Sequence, residues 1–271
     1  MSDRYAQFKH LLLDRPAPGV IRITINNPTQ MNALNPATHD EIVAIWAVID
    51  NDPEIRCSII TGAGKAFCAG GAVDEMPTTT QLDVSTQVMK DFRSGSSLVK
   101  SLIDARKPIV SAINGAAVGA GLALALLCDV PIASKTAKIF DGHTRIGVAA
   151  GDHAALIWPL LCGMAKSKFY LFTNEVMTGE EAERNNLVAL AVDPDKLADR
   201  AVEVAAKIAS LAPTAIRITK YTLNHWLRQA MPIFDLSLAL ELTSFHGAEA
   251  KEAMAAMMEK RAASFPEDSS F

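Results

Sequence analysis

Residues 109–133 read IVSAINGAAVGAGLALALLCDVPIA, and the parsing of this stretch decides the fold. Its length and apolar character suit a membrane span. Yet Asn114, the cluster Gly119-Ala120-Gly121 and the run Asp129-Val130-Pro131 break it at intervals. In lipid each break would leave backbone polar groups without partners. A buried strand at 109–113, a tight turn, a helix at 119–127 and a second strand at 130–133 put every break at a turn. The helix is apolar on all sides, so it lies inside the protein rather than on its surface. The rest of the chain must surround it.

The flanking sequence supplies strands and helices in alternation. Residues 20–25, Val-Ile-Arg-Ile-Thr-Ile, alternate at period two and read as a strand closed by Asn26-Asn27-Pro28. A helix follows, capped by Asn35 or Thr38, with Ile42, Ile45, Trp46 and Ile49 on one stripe. Residues 57–61 form another strand, ending in Gly62-Ala63-Gly64. Residues 77–90, with Thr78-Thr79-Thr80, read as a mobile surface loop running into a helix that stops before Lys107-Pro108. Short strands are expected at 139–140 and 187–192, and helices at 153–173, 178–185 and 195–209. From Pro213 to Lys260 come two or three amphipathic helices rich in Ala, Leu and Met. This order predicts an α/β core at 1–200 and a helical C-terminal extension at 201–271.

The chain has 271 residues, 49% hydrophobic and 21% charged, a globular balance. A net charge of −4, with no run of Lys or Arg, argues against a nucleic-acid partner. The N-terminus has early charges and no apolar segment of the kind that directs secretion. Cys57, Cys68, Cys128 and Cys162 show no C-x-x-C spacing. That pattern speaks against zinc or any other metal site and against disulfides, and it suits a reducing cytoplasm.

Two glycine-rich turns carry the chemistry. One is Lys65-Ala66-Phe67-Cys68-Ala69-Gly70-Gly71-Ala72, after a strand; the other is Asn114-Gly115-Ala116-Ala117-Val118-Gly119-Ala120-Gly121, between a strand and the buried helix. Small residues let a ligand approach the backbone, and a helix start presents unpaired N–H groups. Two such turns can aim two N–H groups at one oxygen, an oxyanion hole suited to a thioester carbonyl. Taken singly, each is also compatible with a plain turn. Neither gives the G-x-G-x-x-G of a dinucleotide site.

In order along the chain, Asn32-Ala33-Leu34, Phe67 to Gly71, Glu75-Met76, Pro108 to Gly121, Cys128-Asp129, Leu171-Phe172-Thr173, Glu181-Ala182, Asn186-Leu187-Val188 and Glu259-Lys260-Arg261 resemble the crotonase (enoyl-CoA hydratase/isomerase) superfamily. The resemblance implies a spiral of ββα units, trimers often paired into hexamers, and acyl-CoA thioester substrates, with no cofactor beyond the coenzyme A they carry. It places the oxyanion donors on the N–H groups of Gly71 and Ala120. Coenzyme A would be held by backbone groups around Met31, Ala33 and Ala69, and its phosphates by Lys260. Two family glycines at turns are Asn174 and Asn186, and Asn tolerates positive φ best after Gly. The usual aromatic residue before the lysine is Met257.

Two departures matter more. The family's hydratases place glutamates where this chain has Ala123 and His143. Two carboxylates are needed there to activate a water and protonate the α-carbon, so standard hydration does not follow. The stretch 141–153, Asp-Gly-His-Thr-Arg-Ile-Gly-Val-Ala-Ala-Gly-Asp-His, offers replacements. Dehalogenases and β-diketone hydrolases of the superfamily carry an aspartate near Asp152, and residues 147–158 look most like the diketone hydrolases. Asp152 is then base or nucleophile and His143 a proton carrier. A plainer role for Asp152 is a helix N-cap, and for His143 a polar loop residue. His153 reads as structural, Asp74 as facing away from substrate, and His10, His39, His225 and His246 as surface residues. Trp46 and Trp226 read as core or subunit contact.

The expectation is an acyl-CoA lyase, isomerase or hydrolase. The alternatives are a non-catalytic acyl-CoA or RNA-binding member of the fold, and a carbon–carbon bond hydrolase acting on a free β-diketone. The helices after Pro213 carry more apolar surface than one core covers, which also points to a homotrimer or dimer of trimers.

Overall fold

The computed structural model describes residues 3–71 and 83–268. Asp74, Glu75, Met76 and Thr78 to Thr80 lie outside the described residues. The first elements are a hairpin of β1 (Leu11–Ala17) and β2 (Val20–Ile25), then helix α1 (Pro36–Asp50). A unit of long strand, short strand and helix then recurs three times. Its members are β3 (Cys57–Gly62), β4 (Ala66–Cys68) and α2 (Val84–Asp104); β5 (Ile109–Ile113), β6 (Ala116–Val118) and α3 (Ala120–Leu126); β7 (Val130–Ser134), β8 (Lys138–Phe140) and α4 (Ala154–Thr173). After them come β9 (Met177–Thr178), α5 (Gly179–Arg184), β10 (Leu190–Val192), α6 (Leu197–Ser210), α7 (Pro213–Gln229), α8 (Met231–Ser244) and α9 (Ala248–Glu259).

The long strands join a six-stranded sheet in the order β1-β2-β3-β5-β7-β10, and the short strands a four-stranded sheet in the order β4-β6-β8-β9. From β2 to β10 the first sheet is parallel. This is the expected spiral of ββα units with a helical C-terminal extension. Parallel strands are covered on both faces, which is why β3 and β5 read as continuous apolar runs. One face packs on α1, α2 and α3 through Ile23, Ile25, Ile60 and Ile113. The other face, Val20, Ile59, Val110 and Ile132, packs on Leu197, Ala201, Ala205 and Ala209 of α6. The boundary expected at residue 200 therefore falls inside a helix that belongs to the core. The alanine stripe of α6 needs the sheet to cover it, and the extension starts at Pro213.

The change from β3 to β4 is fixed by two asparagine amides. Asn32, fully buried with φ 58°, donates to the carbonyls of Ala63 and Ala66 at 2.8 Å and accepts from the Asn27 N–H. Asn114 donates to the carbonyls of Gly64 and Ala66 and accepts from the Gly62 N–H. These bonds draw β4 so close to the next unit that a Cβ on Gly115 would stand 1.9 Å from the Lys65 carbonyl oxygen. At Gly121 it would stand 2.4 Å from that of Cys68.

Three sequence expectations need correction. The helix before Lys107 starts at Val84, because Asp83 caps it by accepting from the Thr86 N–H, so residues 84–90 are helical. β1 was not expected. It is an edge strand containing Pro16, Asp14 and Arg15, and edges tolerate such residues. α4 is broken at Gly163, with φ 77° and ψ 157°. Of the two tryptophans read as core or subunit contact, Trp46 is core and Trp226 is 65% exposed on α7. No helix among the described residues is long and apolar enough to cross a membrane.

Gly115→Ala is expected to destabilise by about 3 kcal/mol, because the clash is with backbone that no rotamer change relieves. Gly163→Ala meets no atom within 4 Å and suffers only from a backbone conformation that is nearly glycine's own, so about 2 kcal/mol is expected. Denaturant unfolding of the two variants checks the order, and equal losses would contradict the close packing.

Candidate active site

Pairing of β4 with β6 sets the two glycine-rich turns side by side. A Cβ on Gly70 would lie 3.7 Å from the Ala120 nitrogen. Helix α3 starts at Ala120 behind Gly119, which has φ 49° and no side chain to cap the turn. The Ala120 N–H is thus among those that an α-helix leaves without an internal partner. Gly71 is held by a parallel bridge to Leu34, whose N–H donates to the Gly70 carbonyl at 2.8 Å. The cleft beside these turns is lined by His39, Asp91, Ser94, Gly95, Leu98, Val99, Ala120, Ala123 and Asp152. Ala123, one helical turn beyond Ala120, brings no carboxylate to it.

Asp152 is where the sequence placed it, but not as a cap. The N-cap position of α4 is His153, without a side-chain cap bond. The Asp152 carboxylate instead takes a 2.5 Å hydrogen bond from His153 Nδ1. His153 is completely buried, and its Nε2 lies 3.2 Å from Trp158 Nε1. Indole N–H can only donate, so Nε2 is the acceptor and the proton sits on Nδ1, aimed at Asp152. Trp158 therefore fixes the tautomer of the histidine that holds Asp152.

His143 completes a buried cluster. Its Nδ1 lies 3.0 Å from Asp141 Oδ2, its backbone N–H donates to the same oxygen, and its Nε2 lies 3.6 Å from Glu241 Oε1. Asp141 Oδ1 is buried without a partner among the described residues. Asn174 steadies this loop: its carbonyl accepts from the Gly142 N–H, and its amide donates to Thr144. Asn174 and Asn186 both have positive φ, as their place at family glycines implied.

Glu241 was not anticipated. It comes from α8, is 5% exposed, and accepts from the Gly151 N–H at 3.0 Å. A signal existed, because Phe234, Leu238 and Glu241 are the buried residues of α8 and share one face at spacings of four and three. An acid within a core stripe is costly unless partnered. His39, expected at the surface, was also misread. It lines the cleft with its side chain 14% exposed, because the polar face of α1 turns toward α2.

The charges in the cluster set one another. Burial opposes ionisation of Asp152, but His153 and His143 outweigh it and lower its carboxyl to about 2. Burial also opposes charging of His143, yet Asp152, Asp141 and Glu241 raise it to about 10. Glu241 is raised to about 8 by burial and then by Asp152 and Asp141, against the pull of His143. At neutral pH the cluster thus holds a carboxylate, an imidazolium and a protonated acid. Donor atoms of Asp141, Asp152 and His153 lie within 4.8 Å of one another, as do those of His143, Asp152 and Glu241. Both His153 nitrogens are engaged by Asp152 and Trp158, and His143 is engaged by Asp141, so the hydrogen bonds describe a proton network.

The residues expected to hold coenzyme A lie on exposed or half-buried backbone. Met31 has φ 51°, and its carbonyl accepts from the Ala69 N–H at 3.0 Å; the Ala33 N–H donates to Gln30. Those two N–H groups are committed, which leaves a ligand the carbonyls of Ala33 and Ala69. Lys260 is exposed at the C-cap of α9, with φ 55°.

A spiral of ββα units enclosing a cleft with a buried acid–base cluster defines a class of α/β enzymes. The sequence profile of the Enoyl-CoA hydratase/isomerase family matches residues 16–268, so the chain belongs to that family, whose members are acyl-CoA enzymes. It is 38% identical to (E)-benzylidenesuccinyl-CoA hydratase of Thauera aromatica over 74% of this chain and 77% of that one. It is 34% identical to short-chain-enoyl-CoA hydratase of Clostridium acetobutylicum over 88% and 91%. Among solved structures, an enoyl-CoA hydratase/isomerase from Pseudoalteromonas atlantica T6c superposes with a TM-score of 0.85 at 27% identity, covering 95% of this chain and all of that one.

The cluster predicts how stability follows pH. Glu241 and His143 are raised above their ordinary values of 4.5 and 6.5. Their contributions are complete below those values and are lost as pH rises through about 8 and about 10. Asp152, lowered from 3.8, contributes above that value and loses its contribution as pH falls toward about 2. Thermal stability should therefore peak in mild acid and decline toward pH 10. Glu241→Gln keeps an acceptor for the Gly151 N–H and should flatten the decline between pH 4.5 and 8. An unchanged slope in calorimetry would show that Glu241 does not titrate as described.

Proposed function

We propose that this chain is a lyase, isomerase or hydrolase of acyl-CoA thioesters in which Asp152 is the proton-accepting group. The observation that carries the reading is the Asp152 carboxylate in the cleft beside Ala120 and Ala123, held ionised by two histidines. The thioester oxygen sits between the N–H groups of Gly71 and Ala120, which stabilise the charge as an enolate or tetrahedral adduct forms. Asp152 takes the proton from the α-carbon or from water. His143, charged, steadies the ionised Asp152, and Glu241 holds a proton next to it. With Ala123 and His143 standing where the resemblance puts the two hydratase glutamates, two-glutamate hydration is not expected. Carbonyls around Met31, Ala33 and Ala69 hold coenzyme A, with Lys260 near its phosphates as a point charge. No metal and no cofactor beyond the coenzyme A of the substrate is required, and the buried free thiols favour a reducing cytoplasm.

A second reading is hydrolytic carbon–carbon cleavage of a β-diketone without coenzyme A. It is favoured by the pairing of an ionised Asp152, to activate water, with a protonated Glu241, to supply a proton. Turnover of a free cyclic β-diketone, with no binding of acetyl-CoA or crotonyl-CoA at millimolar concentration, would establish this reading over the first.

Asp152→Asn preserves shape and should lower turnover of an accepted CoA ester by about a hundredfold or more. Affinity for the CoA ester should hardly move, because the carboxylate acts on the transition state. Steady-state kinetics beside calorimetric binding separates the two effects. Turnover within about threefold of wild type, with His143→Ala inactive, would transfer the base role to His143.

We also propose a homotrimer or dimer of trimers. Ile218, Leu223, Trp226, Ile233, Leu236 and Leu240 on α7 and α8 are exposed large apolar side chains, more than a monomer of this size leaves bare. Light scattering should give three or six times 29.0 kDa. A monomer mass would refute the assembly without touching the chemistry.

A further inference from the structure

Asp91, Ser94, Gly95 and Leu98 repeat at i, i+3, i+4 and i+7 on α2, so they share one face of that helix. With Val99 they form the wall of the cleft contributed by α2, and His39 of α1 adjoins them. Leu98 and Val99 are buried and apolar, as is Ala123 of α3. The polar part of the wall is a different matter. Both oxygens of Asp91 are met by the single Gln87 Nε2, at 2.8 Å each. No Lys, Arg or His pairs with Asp91 among the described residues. An ionised carboxylate accepts about four hydrogen bonds, so acceptor capacity stays open in the cleft.

Ser94 Oγ lies 3.4 Å from His39 Nε2, and His39 Nδ1 lies 3.4 Å from Asp40 Oδ1. A hydroxyl oxygen has two lone pairs, so Ser94 Oγ keeps acceptor capacity whichever way its bond to His39 runs. Asp152 is the second carboxylate of the cleft. Its wall is therefore rich in acceptors and acidic at both ends, with apolar side chains between.

Resting on the acyl-CoA reading above, we infer that the acyl group carries a hydrogen-bond donor, a hydroxyl or an ammonium, which docks on Asp91 and Ser94. A carboxylate at that point is rejected. Hydrogen bonds to a charged acceptor are the stronger kind, and a tail that brings only CH₂ leaves Asp91 desolvated with Gln87 as its one partner. A like-charged tail meets repulsion instead.

Calorimetric titration of the full chain tests this with amide analogues of the CoA esters, in which nitrogen replaces the thioester sulfur so that the tail does not cleave them: butanoyl and hexanoyl, their ω-hydroxy and ω-amino derivatives, and succinyl and adipoyl. At one of the two chain lengths a donor-bearing tail should bind about tenfold more tightly than the plain acyl group. The dicarboxylic tail should bind more weakly than either. Whether hydroxyl or ammonium leads tells the two donor chemistries apart. In Asp91→Leu the advantage should vanish while the plain hexanoyl analogue binds at least as well as before. Ser94→Ala, a milder change on the exposed side of α2, should reduce the advantage without abolishing it. Equal affinities across the series, preference for the dicarboxylic tails, or an advantage that survives in Asp91→Leu would overturn the inference alone. If no CoA analogue binds, the acyl-CoA reading falls and takes the inference with it.

Discussion

The carbonyl oxygens of Lys65 and Cys68 occupy the space that side chains on Gly115 and Gly121 would need. Close approach of two backbones is possible only where Cβ is missing, and here it brings one ββα unit against the next. From that contact follow the β4–β6 register, the seat of α3 in the middle of the molecule, and the nearness of the Gly70-Gly71 turn to the first N–H of α3. Asn32 and Asn114 hold the same contact by saturating the carbonyls of Ala63, Gly64 and Ala66. A polar group buried there without such partners would be costly. The nearness of the two glycine-rich turns is thus a by-product of how the spiral stacks.

The acid–base cluster depends on a second assembly step. Residues 141–153 leave the core as a loop, and α8 fixes them from outside. Glu241 binds the Gly151 N–H, the Ser237 hydroxyl donates to the Gly151 carbonyl, and the Ser244 hydroxyl accepts from the Ala149 N–H. Three acids and two histidines then lie in one buried neighbourhood, where each cationic imidazole must be matched by a carboxylate. One carboxyl is low, one is high and one histidine is charged. Environments that push like groups apart in this way supply both an acid and a base at one pH.

Much of this was legible in the sequence. The long strands and α3 announce themselves because burial on both faces demands unbroken apolar residues, and polar punctuation marks their ends. The short strands β4, β6 and β9 did not, since two or three residues carry no period. β1 was hidden by Pro16 and two charges that only an edge position permits. Asp152 and His143 stood out because the resemblance puts them at catalytic positions of the family, in a loop where glycines separate the titratable groups. His153 was seen as structural, but its bond to Asp152 depends on Trp158, five residues on, which no local pattern announces. Glu241 and His39 reach the site from helices distant in sequence. For Glu241 the clue was a polar residue at a position whose periodicity asks for an apolar one; His39 offered no such clue.

That the helical extension contributes Glu241 bears on how this architecture can be rebuilt. Recombining the first 212 residues with the extension of a relative would exchange the partner of Gly151 and His143 along with the surface of α7 and α8. The protonation of the loop and the exposed apolar face of α7 and α8 would change together, in a single crossover. In this chain the C-terminal helices are therefore not an interchangeable module. They and the loop at 141–153 form one inherited unit, and a library that shuffles them separately would mostly sample mismatched halves of a cleft.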